Sequence, residues 1–242
     1  MAGCVVHEQD APAHRDDGLT RRTTLGPHVG CTVLEQTVLE LAPGGSAPRS
    51  AGAHEEVLFV LAGRGSLLLD GAEHALEPES GAYLTPGETY ELRNGGDEPL
   101  RLVAVSIPDP APPVDAPRAV VRRLADQAAE AATTQREFRI VADPTSGLRS
   151  ATHFVGYIPT VRAPDHMHYY DEVIYILDGE GAMHMNGETT PLRGGSCIYL
   201  PARTVHCLEN AGQDVMTVVA VFRPAGSPAA AYYPDGTPAM AG

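Results

Sequence analysis

Positive charge is scarce in this chain. Seventeen Lys plus Arg stand against 31 Asp plus Glu, a formal net charge of −14 at neutral pH. Nucleic-acid binding needs cationic surface to displace phosphate counterions, and an anionic membrane surface makes the same demand, so both partner classes are disfavoured. Long apolar runs are also absent: none approaches the roughly 20 residues of a spanning helix. The opening MAGCVVHEQDAPAH has no basic segment followed by an apolar core and does not read as a signal peptide. The expectation is a soluble cytoplasmic protein. Paired CxxC spacing is missing from the four cysteines, Cys4, Cys31, Cys197 and Cys207, which disfavours a thiolate zinc site and leaves free thiols as the expected state.

What the chain has in quantity is turn residues. Twenty-five Gly and 21 Pro in 242 residues suit many short strands joined by tight turns. Pro108, Pro110, Pro112, Pro113 and Pro117 cluster in a segment that cannot be a helix interior or a central strand, and it reads as a linker. The Ala, Arg and Glu content of Val120 to Ala132 suggests a short helix after it.

The two halves repeat each other. HEEVLFVLAGRGSLLLDGAEHAL from His54 and YDEVIYILDGEGAMHMNGETTPL from Tyr170 align at an offset of 116 residues, which matches Glu56 with Glu172, Gly63 with Gly179 and Gly71 with Gly187. The register returns at Asn94 with Asn210. Two copies of one domain follow. Within each copy the strands Val57–Leu61 and Val173–Leu177 lead through a Gly-x-Gly turn to a hairpin signal, Asp70-Gly71 or Asn186-Gly187. The fold class is all-β, a sandwich or barrel in each copy. The expected division is 1–107, a linker with the short helix at 108–127, and 128–242.

The chemistry concentrates in the second copy. His166 and His168 lie two apart, so on extended chain they face one side, and Glu172 keeps the same parity. Gly195, Pro201, His206 and Asn210 follow. Three imidazoles and a carboxylate on a rigid scaffold would hold a first-row divalent ion and leave positions open.

These spacings resemble the cupin superfamily. His166-Met-His168-Tyr-Tyr-Asp-Glu172 with Gly179 fits the body of its first motif, and Gly195, Pro201, His206 and Asn210 fit its second. The resemblance implies two tandem antiparallel jelly-roll barrels joined by the Pro-rich linker, with a metal site in the second only. Two departures stand out: Thr160 where the first motif has Gly, and Arg203 where the second has Gly. A non-Gly residue tolerates positive φ poorly, so the loop at Arg203 is expected to take another shape, its guanidinium reaching toward the pocket mouth. In the first copy the same alignment puts Ser50 and Gly52 in place of the two histidines and Tyr90 near the third. Glu56 remains, expected to be solvated or hydrogen-bonded near the barrel mouth, with His54 beside the motif.

The resemblance implies His166, His168, Glu172 and His206 as metal ligands, with Glu172 doubling as general base. The cofactor is one divalent transition metal, Fe²⁺ favoured over Mn²⁺, Ni²⁺, Zn²⁺ or Cu²⁺. The expected partner is a small-molecule substrate, and a homodimer is a family-level expectation. Three function classes stay open: an Fe(II)-type dioxygenase, similar to quercetin-type cupin dioxygenases; a non-redox hydrolase, lyase or isomerase, with a layout like ureidoglycine aminohydrolases; and a non-catalytic small-molecule-binding cupin. Strand parity offers His153, Tyr157, Met183, Met185 and Tyr199 as pocket candidates beside Arg203, each with core packing as the competing assignment. The tail FRPAGSPAAAYYPDGT reads as an ordered arm that covers either the barrel mouth or a partner.

Overall fold

The computed structural model describes residues 2–113, 115–132 and 135–239; Val114 of the expected linker and the last three residues lie outside this set. Two seven-stranded antiparallel sheets dominate. One runs in the order Val121–Arg123, Ser80–Leu84, Glu55–Ala62, Leu100–Ile107, Glu35–Leu41, Leu19–Leu25, His14–Asp16. The other runs Cys4–His7, Ser196–Leu200, Asp171–Asp178, Met216–Arg223, Thr152–Ile158, Glu137–Ala142, Glu130–Ala131. A smaller sheet closes each barrel: four strands in the first half and three in the second. The two hairpin signals form as expected, with positive φ at both Asp70 and Gly71 and at both Asn186 and Gly187, as a type I′ turn requires.

The large sheets are buried on both faces. Along Glu55–Ala62, Val57 and Phe59 join a core shared by the two barrels, while Leu58 and Val60 face the interior of the first barrel. Along Asp171–Asp178, Val173 and Tyr175 enter the shared core and Ile174 and Ile176 the interior of the second. This two-sided burial is why both strands read as near-continuous apolar runs.

Each large sheet takes an edge strand from outside its own half, the second from the N-terminal segment and the first from the connecting segment. Cys4–His7 pairs with Ser196–Tyr199 of the second barrel, and Val121–Arg123 with Ser80–Ala82 of the first. The helix expected over Val120 to Ala132 does not form. The segment is a three-residue strand, a 3-10 turn at Leu124–Asp126 and a two-residue strand. Its propensity is overridden by an open sheet edge, by burial of Leu124, and by Arg122, which donates to the Val141 carbonyl at 3.0 Å. All four cysteines are free. No helix among the described residues is long and apolar enough to cross a membrane.

Candidate metal centre in the second barrel

His166 sits on an isolated bridge to His206, joined by both backbone hydrogen bonds at 3.0 and 2.9 Å. His206 opens the strand His206–Asn210. His168 follows two residues after His166, and the Arg203 amide donates to its carbonyl at 2.6 Å. One ring nitrogen from each of the three imidazoles lies within 4.8 Å of the others. Tyr170 stacks on the His168 ring at 4.6 Å between centroids, and Phe222 stacks on Tyr170 at 3.9 Å, which fixes the plane of that imidazole.

Each imidazole is oriented by a backbone carbonyl. Nδ1 of His166 donates to Pro164 O at 2.9 Å, Nδ1 of His168 to Ala230 O at 2.8 Å, and Nδ1 of His206 to Thr204 O at 2.9 Å. A carbonyl only accepts, so Nδ1 carries the proton in all three rings and each Nε2 keeps its lone pair. Burial drives all three pKa values down, that of His168 to about 4, so the rings stay neutral at physiological pH. Three neutral imidazoles with free lone pairs in a small space fit a borderline divalent transition metal.

Glu172 lines the same cavity, outside the 4.8 Å histidine group. It accepts no hydrogen bond from a described residue, and burial raises its carboxyl to about 8. The cavity, about 90 Å³, is walled mainly by apolar side chains such as Phe138, Phe154, Ile174, Leu200 and Val218. The C-terminal arm roofs it: Pro228 and Ala231 contribute to the wall, Ala230 holds His168, and Tyr232 pairs with Met167. Of the two positions open to the arm, it takes the barrel mouth.

Of the pocket candidates, Tyr157 and Met183 line the cavity. The other pocket candidates stand elsewhere. His153 shares the parity of Val155 and points into the core between the barrels, its ring edge-on to Phe59 at 6.0 Å; Phe154 and Ile158, of opposite parity, face the cavity. Tyr199 also faces the shared core and donates to Asp171 at 2.9 Å, repeating the bond from Tyr83 to Glu55 at 2.6 Å in the first barrel. Met185 rests against Gly3 of the N-terminal segment. Arg203 adopts φ +64, the left-handed conformation the motif's glycine would take, so the loop keeps its shape; its guanidinium covers the Tyr169 ring at 5.3 Å and does not line the cavity. Thr160 donates to the Gly212 carbonyl at 3.1 Å.

The residue that strand reasoning missed is Arg136, which lines the cavity just before Glu137–Ala142. Its neighbourhood reads in sequence as part of a polar connection, and nothing in strand parity marks it.

The first barrel carries a different constellation. Arg49 Nη2 meets Glu56 Oε1 at 2.6 Å, Tyr90 donates to Glu56 Oε2 at 2.7 Å, and Arg49 Nε donates to the Tyr90 hydroxyl at 2.8 Å. Glu56 and Tyr90 are buried. The uniform offset of 116 fails here by one residue. Arg49 faces Tyr90 across its strand pair, whereas His166 faces His206. Between the bridges at Arg162 and His166 the second barrel holds one residue more than the facing strand from His206 to Glu209, while Ser46–Arg49 matches Tyr90–Arg93 one to one. Arg49, not Ser50, therefore occupies the place of His166. Gly52 lies in a turn at φ +59.

The fold recurs widely among solved structures. A protein described as glyoxylate-induced, from Pseudomonas aeruginosa, superposes with a TM-score of 0.79 at 20% identity, over 91% of this chain and 88% of that one. Oxalate decarboxylase from Bacillus subtilis superposes with a TM-score of 0.74 at 14% identity, over 92% of this chain and 77% of that one. In sequence, the tetracenomycin polyketide synthase protein TcmJ from Streptomyces glaucescens is 31% identical over 94 residues, 38% of this chain and 63% of TcmJ. Residues 37–106 and 153–222 each match the cupin domain, together more than half of the chain. With the two barrels, each built on a seven-stranded sheet, these matches establish that the chain belongs to the cupin family and carries two such domains in tandem.

Proposed function

We propose that the second barrel is a mononuclear metal-dependent enzyme site for a small organic substrate, and that the first barrel is its structural partner. His166, His168 and His206 would hold one divalent transition ion through Nε2, with Glu172 as the fourth donor. The observation that carries this reading is the uniform tautomer: three buried imidazoles, each donating from Nδ1 to a carbonyl, turn their lone pairs toward one cavity. A bound ion would supply Lewis acidity and, if it is iron, activation of O₂.

The chain itself contributes positioning and exclusion of water. The Pro164, Thr204 and Ala230 carbonyls hold the rings, and the apolar walls with the C-terminal arm limit water around a reactive substrate. Glu172, free of hydrogen bonds to described residues, is placed to take a proton from a substrate O–H or C–H. The finer reading is an Fe(II)-type dioxygenase, supported by the largely apolar cavity. Elemental analysis of protein purified without added metal, followed by oxygen uptake with enols and catechols, tests it. Iron at near stoichiometry with substrate-dependent uptake supports the oxygenase, and turnover that persists without oxygen overturns it.

A second reading is a non-redox lyase, isomerase or hydrolase. The position of Glu172 outside the histidine group favours it, since a carboxyl that remains free can shuttle a proton. The fold shared with oxalate decarboxylase is compatible with this class. Anaerobic turnover with manganese or zinc bound is its signature.

A further inference from the structure

Arg136 is the one arginine among the described residues that line the second barrel's cavity. One end of its guanidinium is tied down: Nη2 donates to the Leu208 carbonyl at 2.5 Å. Its Nε is buried and has no hydrogen-bond partner. No carboxylate of a described residue lies within 4.0 Å of it, in contrast to Arg49, whose Nε and Nη2 are engaged by Tyr90 and Glu56. His166, His168, His206 and Glu172 line the same cavity. A guanidinium partly withdrawn from water without an anion carries a cost, and that cost is recovered when a ligand brings the anion. The planar N–H fork suits a carboxylate.

The rest of the cavity limits the body of that ligand. Apart from Arg136, Glu137, Tyr157, the histidines and Glu172, its walls are apolar. Its volume of about 90 Å³ leaves room for a molecule of several heavy atoms, roughly six to nine if each water-sized group takes about 10–15 Å³. The geometry points to a small monocarboxylate with a compact apolar body as the ligand class of this site, its carboxylate anchored by Arg136 and its body packed against Phe138, Phe154 and Val218. The inference rests on the reading of this cavity as the enzyme site and narrows what that site takes.

Calorimetric titration of the purified protein, its metal content measured in parallel, tests the anchor with three probes. Isovalerate carries the carboxylate and a branched apolar body, isovaleramide is its neutral counterpart, and inorganic phosphate is an anion without the body. Isovalerate should bind at least about tenfold more tightly than isovaleramide, the scale of one charged hydrogen bond, and more tightly than phosphate. Arg136→Gln should abolish the acid–amide difference without changing metal content. Arg136→Lys, which keeps the charge but not the fork, should retain part of it.

Equal binding of acid and amide, absence of isovalerate binding, or preference for phosphate overturns the ligand class on wild-type protein alone, whatever the variants' folding. A preference that survives intact in folded Arg136→Gln places the carboxylate on another group and overturns the anchor. Wild-type protein that prefers isovalerate through Arg136 but takes up no metal would refute the metal-dependent reading and leave the anchor standing.

Discussion

The two barrel mouths hold a carboxylate at the same point of the same strand, Glu56 and Glu172, each paired across the sheet with a leucine, Leu84 or Leu200. Both oxygens of Glu56 are taken up by its neighbours: Arg49 and Tyr90 bond to it and to each other. Around Glu172 the polar groups are held from behind by backbone carbonyls, and their lone pairs face the cavity. The contrast teaches what separates a filled site from a poised one. Both arrangements bury polar side chains. Only the one whose partners lie outside the cavity leaves its donor atoms available to a ligand. In the first barrel the guanidinium supplies internally the positive charge that the second would take from a metal.

The largest effect should come from breaking the second site. His206→Ala or His166→Ala should reduce bound metal from about one equivalent per chain to under about a tenth, because two imidazoles and a carboxylate retain a divalent ion far less well than three and a carboxylate. Circular dichroism should show both barrels intact. Tyr90→Phe, the matching change in the first barrel, should leave metal content unchanged. Elemental analysis of the variants decides, and full metal in both histidine variants would end the ligand assignment.

The two carboxylates should also respond unequally in the metal-free protein. Glu56→Ala strands the Arg49 guanidinium beside Tyr90, and breaking a buried pair by removing one member costs about 3 kcal/mol or more. Glu172→Gln removes a carboxyl that no described residue bonds, so its cost should stay under about 1 kcal/mol. Urea unfolding of the chelator-treated variants measures both. Equal losses would show that Glu172 is as firmly paired as Glu56.

How much of this was legible beforehand depends on what each residue's environment encodes. The internal repeat, the strands, the hairpin turns and the histidine cluster rest on local spacing, and local spacing is written in sequence. Which face of a strand points where is not written when both faces are apolar. His153 and Tyr199 therefore lie in the shared core, and Phe154 and Ile158 at the cavity. The addition of Cys4–His7 to the second barrel and of Val121–Arg123, from the connecting segment, to the first is long-range pairing with no local signature. Arg49 rather than Ser50 holds the place of His166 because the two copies differ by one residue before it, which a uniform offset cannot register.

The shared core offers a subtler test. Gln36 and His153 line the same cavity of about 10 Å³ between the barrels, room for about one water, and each has a buried nitrogen without a partner. They hold corresponding places, Gln36 opposite Val105 and His153 opposite Val221, but only His153 can titrate. Burial pushes its pKa down to about 3. Between about 6.5, the unfolded value, and that point, the unfolded chain binds a proton that the folded chain does not. Stability from this group is therefore present above about pH 6.5 and lost as pH falls, at about 1.4 kcal/mol per pH unit. His153→Gln, which makes the two places alike, should flatten the acid limb of a stability–pH curve by about that slope. An unchanged limb would assign acid sensitivity to other groups.

The smallest effect belongs to Arg203. It holds φ +64 where a glycine would be unstrained, and a non-Gly residue there costs about 1 kcal/mol. Two terms run the other way. Its guanidinium covers the Tyr169 ring at 5.3 Å, a contact worth about 0.5–1 kcal/mol at an exposed position. Glycine would also give the unfolded chain more freedom to lose. Arg203→Gly should therefore change stability by less than about 1 kcal/mol in either direction. Metal content should hold, because the backbone bond from residue 203 to the His168 carbonyl does not depend on the side chain. Loss of metal in this variant would mean that the guanidinium over Tyr169 positions the second histidine. The chain's departure from the cupin motif at this residue would then be part of how the second barrel is held ready and the first is not.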